Sequence, residues 1–159
     1  NAGNDTLLGG AGDDIIAGDE GADTITGGEG SDVIAGGDGA DIFAYVSESD
    51  GGSVSSNVTK GNITGDTVGD FDPGVDKFDI SSSGFKILSS GTLSSGSFTD
   101  LKSSSAAYDG TNSGKSGAVF IYDNTNTLYF DADTSAAGYT VIAETQSGIS
   151  VSNTDIVIS

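Results

Sequence analysis

The sequence predicts an all-β protein, a parallel β-roll followed by a small β-rich capping domain, and three observations carry that prediction. Aspartate recurs every nine residues at Asp5, Asp14, Asp23, Asp32 and Asp41. Each is followed two residues later by a large apolar residue: Leu7, Ile16, Ile25, Ile34 and Phe43. Beyond residue 65, short strand-like runs alternate with turn residues, and no segment has a sustained helical period.

The repeat comes first in the chain. A glycine stands two residues before each aspartate (Gly3, Gly12, Gly21, Gly30, Gly39), and Gly9, Gly18, Gly27 and Gly36 open the later units. The unit reads G-G-x-G-x-D-x-U-x with U apolar; Asp19 replaces the second glycine once, and Asn1 stands there in the first unit. Six turn residues rich in glycine precede three that extend. Glycine reaches positive φ without a Cβ penalty, so the turn can aim carbonyls and one carboxylate the same way. In the extended part the U side chain points inward, and Thr6, Ile15, Thr24, Val33 and Ile42 point outward. Two units make a coil of 18 residues, with strands on opposite walls and coils about 4.8 Å apart. An acidic, glycine-rich tail without structure would not keep three residue types in one register. Because Asn1 falls inside a unit, the chain is expected to be a piece of a longer one.

Stacking puts Asp5, Asp23 and Asp41 in a row along one edge, and Asp14 and Asp32 along the other. Asp13, Asp19, Glu20, Glu29 and Asp38 flank them, while all five lysines lie at or beyond Lys60. Such rows repel without a cation. The roll core has one apolar side chain per unit, worth about 1.5–3 kcal/mol, and ordering nine residues costs more than that. The roll is therefore expected to be disordered without metal and to fold on binding it. Calcium suits the donors, since it takes six to eight carboxylate and carbonyl oxygens in flexible geometry.

Composition removes other functions. The 159 residues contain no Cys, His, Met, Trp or Arg, and 24 acidic residues against five lysines give a net charge of −19. Nucleic acid and anionic membranes are poor partners for such a chain. A Ser-His-Asp triad, a Cys-His pair, a structural zinc site and an H-E-x-x-H helix cannot be built. Cysteine usage is silent on compartment, no run of apolar residues spans a bilayer, and the first residues lack a signal peptide's basic and apolar regions.

From residue 46 the composition changes. Ser47 to Gly65 and Ser81 to Ser116 are expected to contain exposed loops. Thr67 to Phe71 and Lys77 to Ile80 are strand-like and flank the turn Asp72-Pro73-Gly74. Ala118 to Tyr122 and Thr127 to Phe130 read as a hairpin around Asp123-Asn124-Thr125-Asn126, and Tyr139 to Ala143 and Thr154 to Ile158 complete the set. This half holds most of the aromatics and would cover the last coil, as solenoid caps do. The division expected is 1–53 for the roll, with a degenerate sixth unit, and 54–159 for the cap.

Gly39-Ala-Asp-Ile-Phe-Ala-Tyr45, followed by Asp66-Thr-Val-Gly-Asp-Phe-Asp-Pro-Gly-Val-Asp-Lys-Phe-Asp-Ile80, resembles the C-terminal region of serralysin-type RTX (repeats-in-toxin) proteins. Phe120-Ile-Tyr-Asp123 and Leu128-Tyr-Phe-Asp-Ala-Asp133 resemble the late strands of RTX C-terminal domains. The resemblance implies the calcium ligands: the carbonyls of the second and fourth positions and the aspartate of one unit, with the carbonyls of the first and third positions and the aspartate of the unit 18 residues on. One site so implied uses Asn1, Gly3, Asp5, Gly18, Glu20 and Asp23; a second Gly10, Gly12, Asp14, Gly27, Glu29 and Asp32; a third Asp19, Gly21, Asp23, Gly36, Asp38 and Asp41. Asp50 matches a family aspartate closing a site with Gly28, Gly30 and Asp32, and Asp66 one paired with Gly37, Gly39 and Asp41. Together these imply about three to five calcium ions.

Two further acidic clusters are weaker. Asp131-Ala-Asp133 opens like an EF-hand loop, but Ala136 and Ile142 stand where glycine and the bidentate glutamate belong. Asp70, Asp72, Asp76 and Asp79 read as turn residues, with Asp76 near Lys77 on a solvated edge, rather than as an acid/base pair. The resemblance implies a non-catalytic, calcium-binding C-terminal module of a bacterial RTX protein exported by type I secretion machinery. It would fold on extracellular calcium, assist export and stabilise an upstream domain. The rival reading is a polysaccharide- or surface-binding module of an RTX epimerase or adhesin, which the −19 charge and the lack of Trp disfavour.

Overall fold

The computed structural model describes residues 2–51, 65–85, 91–92, 98–101, 119–123, 125–131 and 140–159. Five strands come from the repeat: β1 Thr6–Ala11, β2 Ile15–Glu20, β3 Thr24–Glu29, β4 Val33–Asp38 and β5 Ile42–Tyr45. The first four are six residues long, because the ladder runs through the first glycines of each turn instead of stopping after three extended residues. Odd strands pair in parallel on one wall, Leu7 opposite Ile25 and Ile25 opposite Phe43; even strands pair on the other, Ile16 opposite Ile34. Each partner lies 18 residues on, so the coil predicted from the period is the coil formed.

The chain turns at positions two and four of each unit, where φ is positive. Gly10 and Gly12, Gly28 and Gly30, and Gly37 and Gly39 fill those places, and the exception is Asp19 at φ 78°. Aspartate tolerates that region better than most residues, since its short side chain bonds locally.

Both walls continue past residue 53. β6 Asp66–Val68 pairs in parallel with β4, and β7 Lys77–Ile80 with β5. The two runs around Asp72-Pro73-Gly74 therefore lie on opposite walls as one more coil. Beyond them come β8 Gly91–Thr92, β9 Phe98–Leu101, β10 Val119–Asp123, β11 Thr127–Asp131, β12 Thr140–Thr145 and β13 Ile156–Ile158. The sheets read β1-β3-β5-β7-β13-β8 and β2-β4-β6-β12-β11-β10-β9. β10 and β11 form the predicted antiparallel hairpin. Strands β8 and β9 fall within a stretch expected to contain exposed loops. The one helical turn among the described residues is a 3-10 turn at Asn153–Asp155.

The U side chains form the inner column. Ile25, Ile34 and Phe43 are fully buried, whereas Leu7 and Ile16 in the first coil are only partly so. Ile15, 87% exposed, and Val33, 50% exposed, face outward as the alternation requires. Phe71 and Phe78 extend the column, stacked at 4.5 Å with Phe43 5.9 Å from each. Phe85, Phe120, Phe130, Leu128 and Ile142 complete the same core toward the C-terminus.

Candidate calcium-binding edges

Where the chain passes from one wall to the other, the repeat aspartates stack. The N–H of Asp5 donates to Asp23 Oδ1 at 2.7 Å, that of Asp14 to Asp32 Oδ1 at 2.8 Å, and that of Asp23 to Asp41 Oδ1 at 2.9 Å. One carboxylate oxygen thus fixes the coil below. The other oxygens, Oδ2 of Asp14, Asp23, Asp32 and Asp41, are buried with no hydrogen-bond partner. A buried carboxylate oxygen in that state is costly unless a cation or donor meets it.

The first glycine of each unit makes room for that oxygen. A Cβ at Gly9 would stand 2.8 Å from Asp14 Oδ2, and one on Gly18, Gly27 or Gly36 would collide with Oδ2 of Asp23, Asp32 or Asp41. The carbonyls of positions two and four reach toward the next coil: those of Gly3, Gly10, Gly12, Asp19 and Gly21 occupy the space a Cβ on Gly21, Gly28, Gly30, Gly37 and Gly39 would need. The third-position carbonyls of Glu20, Glu29 and Asp38 accept from the N–H of Gly3, Gly12 and Gly21 at 2.7–2.9 Å. The residues of the three repeat sites are thereby brought together, save Asn1, which lies outside the described residues. Among the described residues no three carboxylates alone converge on one point. An ion here would need carbonyls beside the aspartates, a hard oxygen set that fits calcium.

The ends of the rows differ from the spacing-based expectation. The N–H of Asp32 donates to Asp66 Oδ1 at 3.0 Å, and that of Asp41 to Asp76 Oδ1 at 3.0 Å. Asp66 therefore stands over Asp32 and not over Asp41, and Asp76, fully buried, takes the place above Asp41. Asp50 does not take the row position over Asp32. Its carboxylate caps a turn, accepting from the N–H groups of Val46 and Ser47 and from the Ser47 hydroxyl. The reading of Asp76 as a solvated turn residue is likewise corrected. A signal was available, because Gly74-Val-Asp76-Lys-Phe78 repeats the G-x-D-x-U of the units, and Gly74 has φ 87° as position four does elsewhere. Asp70 was also missed as a row neighbour; its two oxygens accept the N–H groups of Gly36 and Gly37, where the β4–β6 ladder has ended.

The electrostatics are those of anions held together. Burial raises the carboxyls of Asp32, Asp41 and Asp76, and it pushes Asp66 up to about 7, with the charges of Asp32 and Asp50 adding to the effect. Asp66 Oδ2 is buried without a partner like its counterparts. Lys77 answers none of this, since its ammonium turns to the carbonyl of Asp76 at 3.0 Å and to Asp155 at 3.5 Å. In the hairpin Asp131 is buried, and Asp133 lies outside the described residues.

The family model of the RTX calcium-binding nonapeptide repeat matches residues 1–25 and 18–45. No curated protein sequence matches the chain. Among solved structures, the chain is similar to the AlgE6R3 subunit of the Azotobacter vinelandii mannuronan C5-epimerase. That match has 23% identity and a TM-score of 0.46, covering 98% of this chain and 78% of that one. The AlgE6R2 subunit of the same enzyme matches at 22% identity and a TM-score of 0.43, over 96% of this chain and 91% of that one.

Proposed function

Residues 1–45 are RTX calcium-binding nonapeptide repeats, and from that premise we propose that the chain is a non-catalytic folding module governed by extracellular calcium. The observation that carries the reading is the set of buried, partnerless Oδ2 atoms on Asp14, Asp23, Asp32, Asp41 and Asp66. Each is a charge that the fold keeps from water and that a cation would satisfy. The ligand sets are the three repeat sites named from the sequence, with Asp66 closing the row of Asp14 and Asp32, and Asp76 that of Asp5, Asp23 and Asp41.

At low cytosolic calcium the rows repel and the roll stays unfolded, in a state that type I secretion machinery can thread. Outside the bacterium an affinity of roughly 10⁻⁴ to 10⁻³ M, that of extracellular calcium modules, suffices to fold it. Binding that favours only the folded state would then draw the chain outward and support an upstream domain. In this scheme the calcium-responsive roll is 1–53 extended by the coil of β6 and β7, and the rest of 54–159 is the cap, which carries the secretion region.

Far-UV circular dichroism tests this directly. In EDTA the roll's share of the β signal should be absent while that of the cap remains, the missing part returning cooperatively with millimolar calcium but not with magnesium, and Asp23→Ala should lose the response. A fully folded spectrum in EDTA would overturn the mechanism.

A further inference from the structure

The sixth, degenerate unit places a tyrosine where its predecessors have glycine. On the edge of Asp14 and Asp32 the first unit position holds Gly9 and Gly27, each five residues before its aspartate, and Tyr45 stands five residues before Asp50. At Gly9 and Gly27 a Cβ would run into the Oδ2 of Asp14 and Asp32. The side chain of Tyr45 thus starts from the place where the row keeps its free carboxylate oxygen. Here the unit's own aspartate has left to cap the Ser47 turn, and Asp66 has taken the row.

Tyr45 is 2% exposed, and its buried hydroxyl lies beside the Asp66 carboxylate, a hydrogen-bonding neighbour that it does not meet in good geometry. Asp66 is its immediate neighbour, and Asp32 and Asp50 are the other charges facing it. Oδ2 of Asp32 and Oδ2 of Asp66 are likewise buried and without a well-formed hydrogen bond. The ring is held in place, 6.2 Å from that of Phe78, and the Tyr45 carbonyl accepts from Ser81 N–H at 2.9 Å.

We propose that the phenol oxygen of Tyr45 is a ligand of the cation held between Asp32 and Asp66. The row on this edge then ends in a site with a neutral phenol oxygen, where the repeat sites have only carboxylates and main-chain carbonyls. The proposal rests on the calcium reading above. One ion would satisfy three buried oxygens for which the protein supplies no well-formed hydrogen bond, and calcium accepts neutral and charged oxygens together.

Terbium(III), which takes calcium sites and emits when a nearby tyrosine is excited, tests it on the whole chain. The wild type should show tyrosine-sensitised emission that calcium displaces. Tyr45→Phe should lose most of it, while Tyr129→Phe keeps it. Under direct terbium excitation, decay times in H₂O and D₂O should count about one more bound water per chain in Tyr45→Phe, filling the vacated coordination position. Unchanged sensitised emission in Tyr45→Phe would overturn the assignment, as would loss of emission without the added water, which would make the phenol a neighbour of Asp66 only. Equilibrium dialysis of the wild type separates the two levels: bound calcium with either of those results sinks the Tyr45 assignment alone, and no bound calcium or terbium sinks the calcium reading with it.

Discussion

The first coil and the C-terminal sheet solve the same problem in opposite ways. In β1 and β2 the interior is Leu7 and Ile16, both only partly buried, and the edges carry a carboxylate oxygen without a partner at Asp14. In β10 to β12, Phe120, Tyr122, Leu128, Phe130 and Ile142 are fully buried, and polar groups find protein partners: the Tyr122 hydroxyl meets Thr145 Oγ1 at 2.6 Å, and Tyr129 donates to Asp123. One end is held by apolar burial, and the other, in the function proposed above, needs a bound cation. The shared column of Phe43, Phe71 and Phe78 joins them.

Removing calcium should break the comparison most. Chelation is expected to abolish protection of the amides of β1 to β4 while those of β10 to β12 keep most of theirs, which hydrogen exchange read by mass spectrometry will resolve; equal loss at both ends would erase the distinction. Next comes the room for the carboxylate. Gly27→Ala puts a methyl group on Asp32 Oδ2, and should raise the calcium midpoint at least about tenfold, a cost of about 1.4 kcal/mol, whereas Val33→Ala on the exposed face should leave it in place.

Within the apolar column the gradient is testable by truncation at saturating calcium. Phe78→Ala should cost about 3–5 kcal/mol, as large aromatic deletions do, and Leu7→Ala about 1 kcal/mol because that side chain is already partly wet. Urea unfolding at fixed calcium measures both, and similar costs would mean that the open end is better packed than its exposure implies.

The smallest effect is that of acid. The carboxyls of Asp32, Asp41, Asp66 and Asp76 are raised in the fold, Asp66 to about 7. The metal-free fold therefore binds protons more tightly than the unfolded chain does. That contribution is complete below about pH 4, the unfolded value, and is lost as pH rises through 7. In EDTA the roll should regain part of its β signal between pH 8 and pH 5, and saturating calcium should flatten the profile. A signal that falls on acidification in EDTA would contradict the assignment.

The period of nine fixed the coil, because three residue types in one register leave one way to bury Leu7, Ile16, Ile25, Ile34 and Phe43 while stacking their aspartates. It also put the turn in the glycine-rich half of each unit, whereas the carbonyl positions came only from the family resemblance. That logic is local and needs no knowledge of the rest of the chain. Which aspartates end the rows was not local. The steps from Asp32 to Asp66 and from Asp41 to Asp76 span 34 and 35 residues instead of 18, so sequence distance no longer measures height along the roll. Only the pairing of β6 on β4 and β7 on β5 decides them, and it buries Asp76 where the spacing suggested a solvated turn. The insertion of β13 between β7 and β8 was equally invisible, since Asp155 reaches the Gly74 N–H across 81 residues of chain. A repeat makes each contact recur at a fixed offset and so writes the fold into the sequence; once the repeat ends, contacts are chosen by packing and hydrogen bonding among distant segments, which only the folded chain brings together.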